Sequence, residues 1–516
     1  MNMNRHCRII RFILLGVVCA LLLPILAQAQ KNSVFIPGQV WKDTDGNPIN
    51  AHGGGLLYHN GTYYWYGEYK KGKTILPDWA TWECYRTDVT GVGCYSSKDL
   101  LNWKFEGIVL PAVKDDPNHD LHPSKVLERP KVIFNKKTGK FVMWAHVESA
   151  DYSKACAGVA VADSPVGPFV YQGSFRPNNA MSRDQTVFVD DDGRAYQFYS
   201  SENNETMYIS LLTDDYLKPS GRFTRNFVKE SREAPAVFKY NGKYYMLSSG
   251  CTGWEPNPGR SAYSTDILGN WTTGNNFAVD KLKQVTYNSQ SCYVFKVEGK
   301  EKAYIYMGDR WNSKDVGKSH HVWLPISMRS GYPVVKWYDQ WDLTVFNSMY
   351  RYKRAAEIIP GNIYSLLEKT SDRLVSKPAN GFSIADDDDD INLSLEFIKT
   401  NIPNVYKIKD TKTGKFLESL FGTLRLNPEK KDDAQCWVFN LQEDGYYQIQ
   451  NLKDKKYVTV SGSNTFAGSN LYLTELSKKL MQDFAVYFDS NKYKYKEADI
   501  FSDAYKANNL KQMKAQ

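Results

Sequence analysis

The sequence predicts an all-β protein, a five-bladed β-propeller over residues 31–350 followed by a β-trefoil over residues 358–490. Three observations carry the prediction. A hairpin pattern with polar residues at the same end recurs five times before residue 350. A weaker pair of strand-like segments follows most of these hairpins, giving repeats of roughly 50 to 75 residues with four short strands each, the signature of propeller blades. Beyond residue 350 a different repeat sets in, three units of about 42 residues. A β-sandwich would not produce the first period.

The first 29 residues read as a signal peptide. Arg5, Arg8 and Arg11 form a basic start, Phe12 to Leu26 is an apolar run, and Ala27-Gln28-Ala29 is a small-x-small cleavage site. The run is short for a bilayer span. No other apolar stretch is long enough to cross, so an exported chain with no membrane span after signal removal is expected. The net charge of +8 includes the three leader arginines, and the remainder forms no basic block. That excludes a nucleic-acid footprint. Two of the eight cysteines lie in the leader. Of the rest, Cys84 and Cys94 are the expected local disulfide in an oxidising compartment. None has zinc-ligand spacing, so no metal and no cofactor are expected, and the chain is read as a monomer.

The hairpins follow in order. Gly55-Leu56-Leu57-Tyr58 turns at Asn60-Gly61 and returns as Tyr63-Tyr64-Trp65-Tyr66. Val132-Ile133-Phe134 returns as Phe141-Val142-Met143-Trp144. Thr186-Val187-Phe188-Val189 returns as Ala195-Tyr196-Gln197-Phe198. Ala236-Val237-Phe238 turns at Asn241-Gly242, a strong hairpin signal, and returns as Tyr244-Tyr245-Met246-Leu247. Tyr293-Val294-Phe295 returns as Ala303-Tyr304-Ile305-Tyr306-Met307. Outer strands are marked by Cys94-Tyr95-Ser96-Ser97, Gly158-Val159-Ala160-Val161 and Ser261-Ala262-Tyr263-Ser264.

In a propeller the innermost strand of each blade lines the axis and its neighbour runs antiparallel. The start of the first strand and the end of the second therefore meet at one face. Before the first strands stand His52-Gly53-Gly54, Glu128-Arg129-Pro130, Arg183-Asp184-Gln185, Glu233-Ala234-Pro235 and Ser289-Gln290. After the second strands come Gly67-Glu68, His146 to Tyr152, Ser200-Ser201-Glu202, Cys251 to Trp254 and Gly308-Asp309-Arg310-Trp311. Clustered carboxylates need a reason to share a funnel. Glycosidic bond cleavage supplies one: a protonated carboxyl donates to the leaving oxygen while a second group activates water from the opposite side. Crowded acids raise one another's pKa, and Trp side chains stack on sugar faces.

After residue 358 each trefoil unit opens on an apolar arm, Ile363-Tyr364-Ser365-Leu366, Val405-Tyr406-Lys407-Ile408 and Tyr446-Tyr447-Gln448-Ile449. Each closes on an aromatic strand: Leu395-Glu396-Phe397, Cys436-Trp437-Val438-Phe439 and Phe484-Ala485-Val486-Tyr487-Phe488. Asp386 to Asp390 is an acidic run expected to be a solvated loop, and 491–516 a Lys-rich tail that is either a short helix or frayed.

At this point the segments AHGGG (51–55), GEYK (67–70), LERPKVIFN (127–135), SRDQTVF (182–188), EAPAVFKYNGKYYM (233–246), TGWEPNP (252–258), YNSQ (287–290) and YMGDRW (306–311) together resemble glycoside hydrolase family 43, more narrowly its exo-β-1,3-galactanase branch. The resemblance spans the whole propeller in order. It implies an inverting, exo-acting hydrolase whose partner is a polysaccharide, β-1,3-galactan. It implies Glu233 as general acid and Asp184 as the carboxylate that tunes it. Family members generally carry a base Asp in blade one; here that place is His52-Gly53-Gly54. As in the branch, the resemblance then puts Gln290 at the attacking water, as an imidic-acid tautomer, with Glu128 holding substrate hydroxyls or assisting the water. It places Glu68, Arg129, Tyr152, Thr252, Trp254 and Arg310 on the terminal galactose. Gln435-Cys436-Trp437 resembles the Gln-x-Trp signature of ricin-type carbohydrate-binding trefoils, with Gln482-Asp483-Phe484 a degenerate copy. Two alternatives stay open: an α-L-arabinofuranosidase or β-xylosidase of the same family, and a non-catalytic sugar-binding protein.

Overall fold

The computed structural model describes residues 31–76, 86–387 and 390–514. The expected signal peptide and Cys84 lie outside these residues; Cys94 is a buried free thiol.

Five four-stranded antiparallel sheets form in sequence order, one per blade. Blade one is His52–His59, Thr62–Glu68, Gly91–Ser97 and Lys104–Pro111. Blade two is Val126–Asn135, Lys140–Glu148, Cys156–Ala162 and Val170–Phe175. Blade three is Gln185–Val189, Ala195–Ser201, Thr206–Leu212 and Pro219–Asn226. Blade four is Glu233–Tyr240, Lys243–Ser249, Arg260–Ser264 and Thr272–Thr273, and blade five is Gln290–Lys296, Tyr304–Arg310, His320–Ser327 and Val334–Val335. The outer strands of blades three and five carry no turn signal strong enough to read from sequence; they form because the preceding hairpin offers an unpaired edge.

Hydrophobic burial runs between blades. Trp65 packs with Trp323 between blades one and five, while Val92 and Met143 share a cluster between one and two, and Val142 and Val187 one between two and three. Phe198 and Met246, and Phe238 and Val322, share clusters across the last two seams. At 25 cal/mol per Å² of apolar area, each seam of aromatic side chains supplies far more than a lone blade could bury. The ring is latched where Phe35 and Trp341 exchange backbone hydrogen bonds of 2.7 and 3.0 Å, their rings stacked at 4.3 Å.

The C-terminal strands form one 13-stranded sheet. Six of them close a circuit: Ile363–Glu368, Leu395–Lys399, Val405–Asp410, Cys436–Leu441, Tyr447–Asn451 and Asp483–Asp489, the last pairing back to both the first and the fifth. Three hairpins branch from it. Gln435 and Gln482 are buried there; their amides bond Pro428 O and Glu475 O, and Trp437 Nε1 donates to Leu417 O. The signature residues are thus core staples.

The acidic run departs from its expectation in part. Asp388 and Asp389 lie outside the described residues, and Asp386 and Asp390 are exposed, but Asp386 and Asp387 are tied into ion pairs. Asp387 pairs with Arg329 at 2.7 Å and Asp386 with Lys336 and Arg373 at 3.1 Å. Buried Arg329 also pairs with Asp372 at 3.2 Å. The run thus clamps the C-terminal sheet to the propeller, because buried cations there require carboxylates. The tail ends in the helix Asp503–Lys514.

Candidate active site

One residue per blade occupies the same position, at the axial start of the inner strand: His52, Glu128, Asp184, Glu233 and Gln290. In blades one, two and four a bulge follows at once. Register slips between His52 and Gly55, Glu128 and Lys131, and Glu233 and Ala236. Gly53, Arg129 and Ala234 have φ of +57°, +52° and +56°. Such a bulge re-aims a side chain at the rim of a sheet. At Gly53 even a Cβ is excluded, since it would stand 2.1 Å from Glu68 Oε1.

Glu233 is 8 % exposed. Gln290 Nε2 donates to its Oε1 at 3.0 Å and Asn204 Nδ2 to its Oε2 at 3.2 Å. Burial pushes its carboxyl up, and the Asp184 charge pushes it further, to about 8, against the pull of Arg129. Glu233 therefore holds a proton at neutral pH. Asp184 accepts from Arg129 Nε at 2.9 Å and from the backbone of Ala234 at 3.1 Å.

Glu128 is driven the other way. Burial, the largest influence, would raise it, but contact with His146, the charges of Lys70 and His146 and the bond from Tyr152 together outweigh it and hold it at about 2. His146 Nδ1 meets Glu128 at 3.2 Å and its Nε2 meets Glu148 at 3.2 Å. Burial opposes the charge on His146, yet the two carboxylates lift it to about 9. Tyr152 Oη donates to Glu128 Oε1 at 2.9 Å. Glu68, wholly buried, accepts from Arg129 N at 2.8 Å and pairs with Lys70 at 2.5 Å.

Gln290 uses its whole amide. Its Oε1 accepts from Arg129 Nη2 at 2.7 Å and Trp311 Nε1 at 2.9 Å; its Nε2 donates to Glu233 and to Ser249 Oγ at 3.1 Å. An imidic-acid form would turn a hydroxyl toward two obligate donors, so this arrangement holds the ordinary amide. His52, in the first-blade position, is fully buried with Nδ1 on Asp309 at 3.3 Å. Burial lowers it to about 4, so it is a neutral ring.

Among the remaining expected residues, Trp254 meets Trp311 edge-on at 5.3 Å, an aromatic pair over Gln290. Thr252 bonds within its own loop, to Glu255 O and Asn257 Nδ2. Arg310 is bonded away from the other expected residues. Side chains alternate along a strand; Asp309 faces the axis, while Arg310 donates to Tyr287 O at 2.9 Å and lies over Trp337. Asn204 and Ser249 were missed by sequence reasoning. The Asn203-Asn204 pair is a turn signal, and Glu202, Asn203 and Asn204 all have positive φ, but nothing in it points to Glu233.

Two clusters could offer metal ligands among the described residues: His52, Asp309 and His321, and Glu128, His146 and Asp184, each within 4.8 Å. In the first, Asp309 Oδ1 already takes both imidazoles.

A buried, proton-bearing carboxyl beside ionised ones, under an aromatic rim on a propeller axis, defines a site of the glycosidase class. Comparison with known proteins agrees. The profile of glycosyl hydrolases family 43 matches residues 56–322. A solved structure of a family 43 β-1,3-galactosidase is 74 % identical, covering 94 % of this chain and 100 % of that one, with a TM-score of 0.88. A second family 43 β-1,3-galactosidase, solved with galactodeoxynojirimycin, is 40 % identical over 60 % of this chain and 100 % of its own, with a TM-score of 0.56. An exo-β-1,3-galactanase from Clostridium thermocellum is 31 % identical over 88 % of this chain and 99 % of its own, with a TM-score of 0.55. No curated protein sequence matches. The chain belongs to glycoside hydrolase family 43.

Proposed function

We propose that this glycoside hydrolase releases galactose from the non-reducing end of β-1,3-galactan, with inversion. The observation that carries the chemistry is the opposed state of two carboxyl groups, Glu233 held up at about 8 and Glu128 held down at about 2. Environments that drive a pair of titratable groups apart assign acid and base roles. The substrate class is supported by the relatives, which are β-1,3-galactosidases and an exo-β-1,3-galactanase.

In this reading Glu233 protonates the glycosidic oxygen and Asp184 keeps its pKa high. Asn204 Oδ1 is buried without a partner. A half-turn of that amide would set this oxygen against Glu233 Oε2, where it accepts the acid proton; after proton transfer the observed orientation serves the carboxylate. Glu128 lies two blades from Glu233 across the axis and orients the attacking water, while the Gln290 amide holds the acid. Glu68, Arg129, Tyr152 and Trp254 frame the terminal sugar, and Thr252 shapes the loop that carries Trp254.

We further read residues 31–350 as the catalytic propeller and 358–490 as a β-trefoil. The closed circuit of six strands with three hairpins and the Gln-x-Trp staples support that reading. The leader pattern supports export.

The test is incubation with β-1,3-galactan, arabinan and xylan, with the released sugar followed by NMR. Galactose appearing first as the α-anomer supports the assignment. Arabinose or xylose release would replace the substrate, β-galactose would replace the mechanism, and no release would leave a binding protein.

A further inference from the structure

The three bulges that aim His52, Glu128 and Glu233 each put one residue outside the paired register: Gly53, Arg129 and Ala234. All three are buried. A buried carbonyl outside a strand ladder needs a donor from elsewhere. In every case that donor is a side chain on the inner strand of the next blade. Lys131 Nζ of blade two donates to Gly53 O at 2.6 Å. Gln185 Nε2 of blade three donates to Arg129 O at 2.7 Å. Ser291 Oγ of blade five donates to Ala234 O at 2.6 Å. The three donor residues are at most 1 % exposed, so no sugar reaches them.

Ser291 bears on the acid. Ala234 follows Glu233 and has φ of +56°, a conformation that an L side chain keeps only where its surroundings enforce it. Its N–H donates to Asp184 Oδ2 at 3.1 Å, and its carbonyl accepts from Ser291. The residue beside the acid is therefore gripped from both neighbouring blades. The Ser291 carbonyl also accepts from Arg129 Nη1 at 3.0 Å, and the same guanidinium bonds Asp184 and Gln290. One serine ties the acid's bulge to the groups that set its charge.

Gln185 bears on Glu128. Its amide donates to Arg129 O and also to Trp144 O at 3.0 Å. That pins the bulge after Glu128, where Arg129 has φ of +52°, to the second strand of the same blade.

We propose that Lys131, Gln185 and Ser291 are positioning residues for the hydrolysis, each fixing from the next blade the bulge that aims one axial group: Ser291 the acid Glu233, Gln185 the carboxylate Glu128, and Lys131 the first-blade turn. The assignment rests on the reading of Glu233 as acid and Glu128 as the group that orients water.

The deciding variant is Ser291→Ala. It leaves Ala234 O without its donor, so the bulge relaxes and opens Glu233 to water. The titratable groups facing Glu233, namely Asp184, Arg129 and Cys251, keep their charges. The Glu233 carboxyl is titrated by carbon-13 NMR of protein labelled at glutamate Cδ, its signal assigned by its loss in Glu233→Gln. In Ser291→Ala its midpoint should fall by about half a unit or more as burial is lost. On β-1,3-galactan kcat should fall by about tenfold, with KM within about twofold of the parent. Gln185→Met should lower kcat by a similar factor and leave the Glu233 midpoint in place. An unchanged midpoint in Ser291→Ala, with or without a lower melting temperature, overturns the proposal, and so does an equal midpoint shift in both variants. The titration needs no substrate, so it decides the proposal even where the parent fails to hydrolyse galactan, the outcome that defeats the functional reading instead. Should Ser291→Ala fail to fold, Ser291→Cys, which keeps a weaker donor, replaces it in the titration: a smaller fall supports the assignment and no fall refutes it.

Discussion

Replacing Glu233 by Gln should remove activity and stabilise the protein, and the second effect should depend on pH in a defined direction. The folded state lifts the Glu233 carboxyl from 4.5 to about 8 through burial and the Asp184 charge. Folding must therefore take up a proton between these values. Below pH 4.5 both states are protonated and the term is absent. It grows as pH rises through 8 and is constant beyond. At ~1.36 kcal/mol per unit, the penalty at pH 7 is about 3 kcal/mol, and about 2 kcal/mol after local relaxation. Gln cannot ionise and escapes it, while its amide still offers an acceptor to Gln290 and a donor to a rotated Asn204. Scanning calorimetry should show the variant melting about 4 °C above the parent at pH 7, taking ~2 °C per kcal/mol for a domain of this size. The gap should close near pH 4. Galactose release should fall by about 10²–10⁴, the loss expected for a general acid. A melting gap that is the same at pH 4 and pH 8, or of the opposite sign at pH 7, would refute the buried-acid argument even if activity were lost.

Three further outcomes follow from neighbouring contacts. Asp184→Asn removes the charge that repels ionised Glu233 and frees Arg129 to attract it, so the alkaline limb of the kcat/KM profile should move down by about one unit or more; an unmoved limb would dissociate Asp184 from the acid. Asn204→Gly keeps the backbone free to adopt its φ of +68° while deleting the amide. It should lower kcat by about tenfold with Tm within a degree or two of the parent, and an unchanged kcat would remove Asn204 from the proton path. Arg329→Met strands Asp372 and Asp387 at the junction. It should cost about 3–5 kcal/mol, read as a lower Tm, with partial recovery on adding Asp372→Asn.

What could be read from the sequence depended on how local each signal was. The inner hairpins are legible because Asn60-Gly61 and Asn241-Gly242 set both turn type and register within four residues. The convergence of Glu68, Glu128, Asp184 and Glu233 was also legible, since blade geometry alone places strand starts on the axis. The orientation of Arg310 was not: its neighbour Asp309 takes the axial side, and one residue of register decides which of the two points inward. The pairing of Asp386 and Asp387 with Arg329, Lys336 and Arg373 was hidden for a different reason. A run of acids reads as solvated until its buried partners, one of them 58 residues away in the chain, are brought to it by the fold. Asn204 touches Glu233 through a turn between strands of another blade, a contact with no local signature at all.

The ring of five blade positions also bears on the base. Neighbouring positions are in direct contact: Gln290 bonds Glu233, and Asp184 bonds the Ala234 backbone. A group beside Glu233 on the ring cannot also stand across a sugar from it. Inversion needs a separation of roughly 6.5–9.5 Å, with a water in the gap. Of the five positions only His52 and Glu128 are two steps from Glu233. His52 is a neutral ring spent on Asp309. Glu128 remains, ionised, with Tyr152 and His146 holding both of its oxygens. A carboxylate so stabilised is a weak base alone. It gains strength once a bound sugar draws Tyr152 away or His146 passes more of its charge to Glu148. The activation of water at this site is therefore a property of the Glu128–His146–Glu148 chain, and Glu148→Gln should depress kcat without moving the alkaline limb that Glu233 sets.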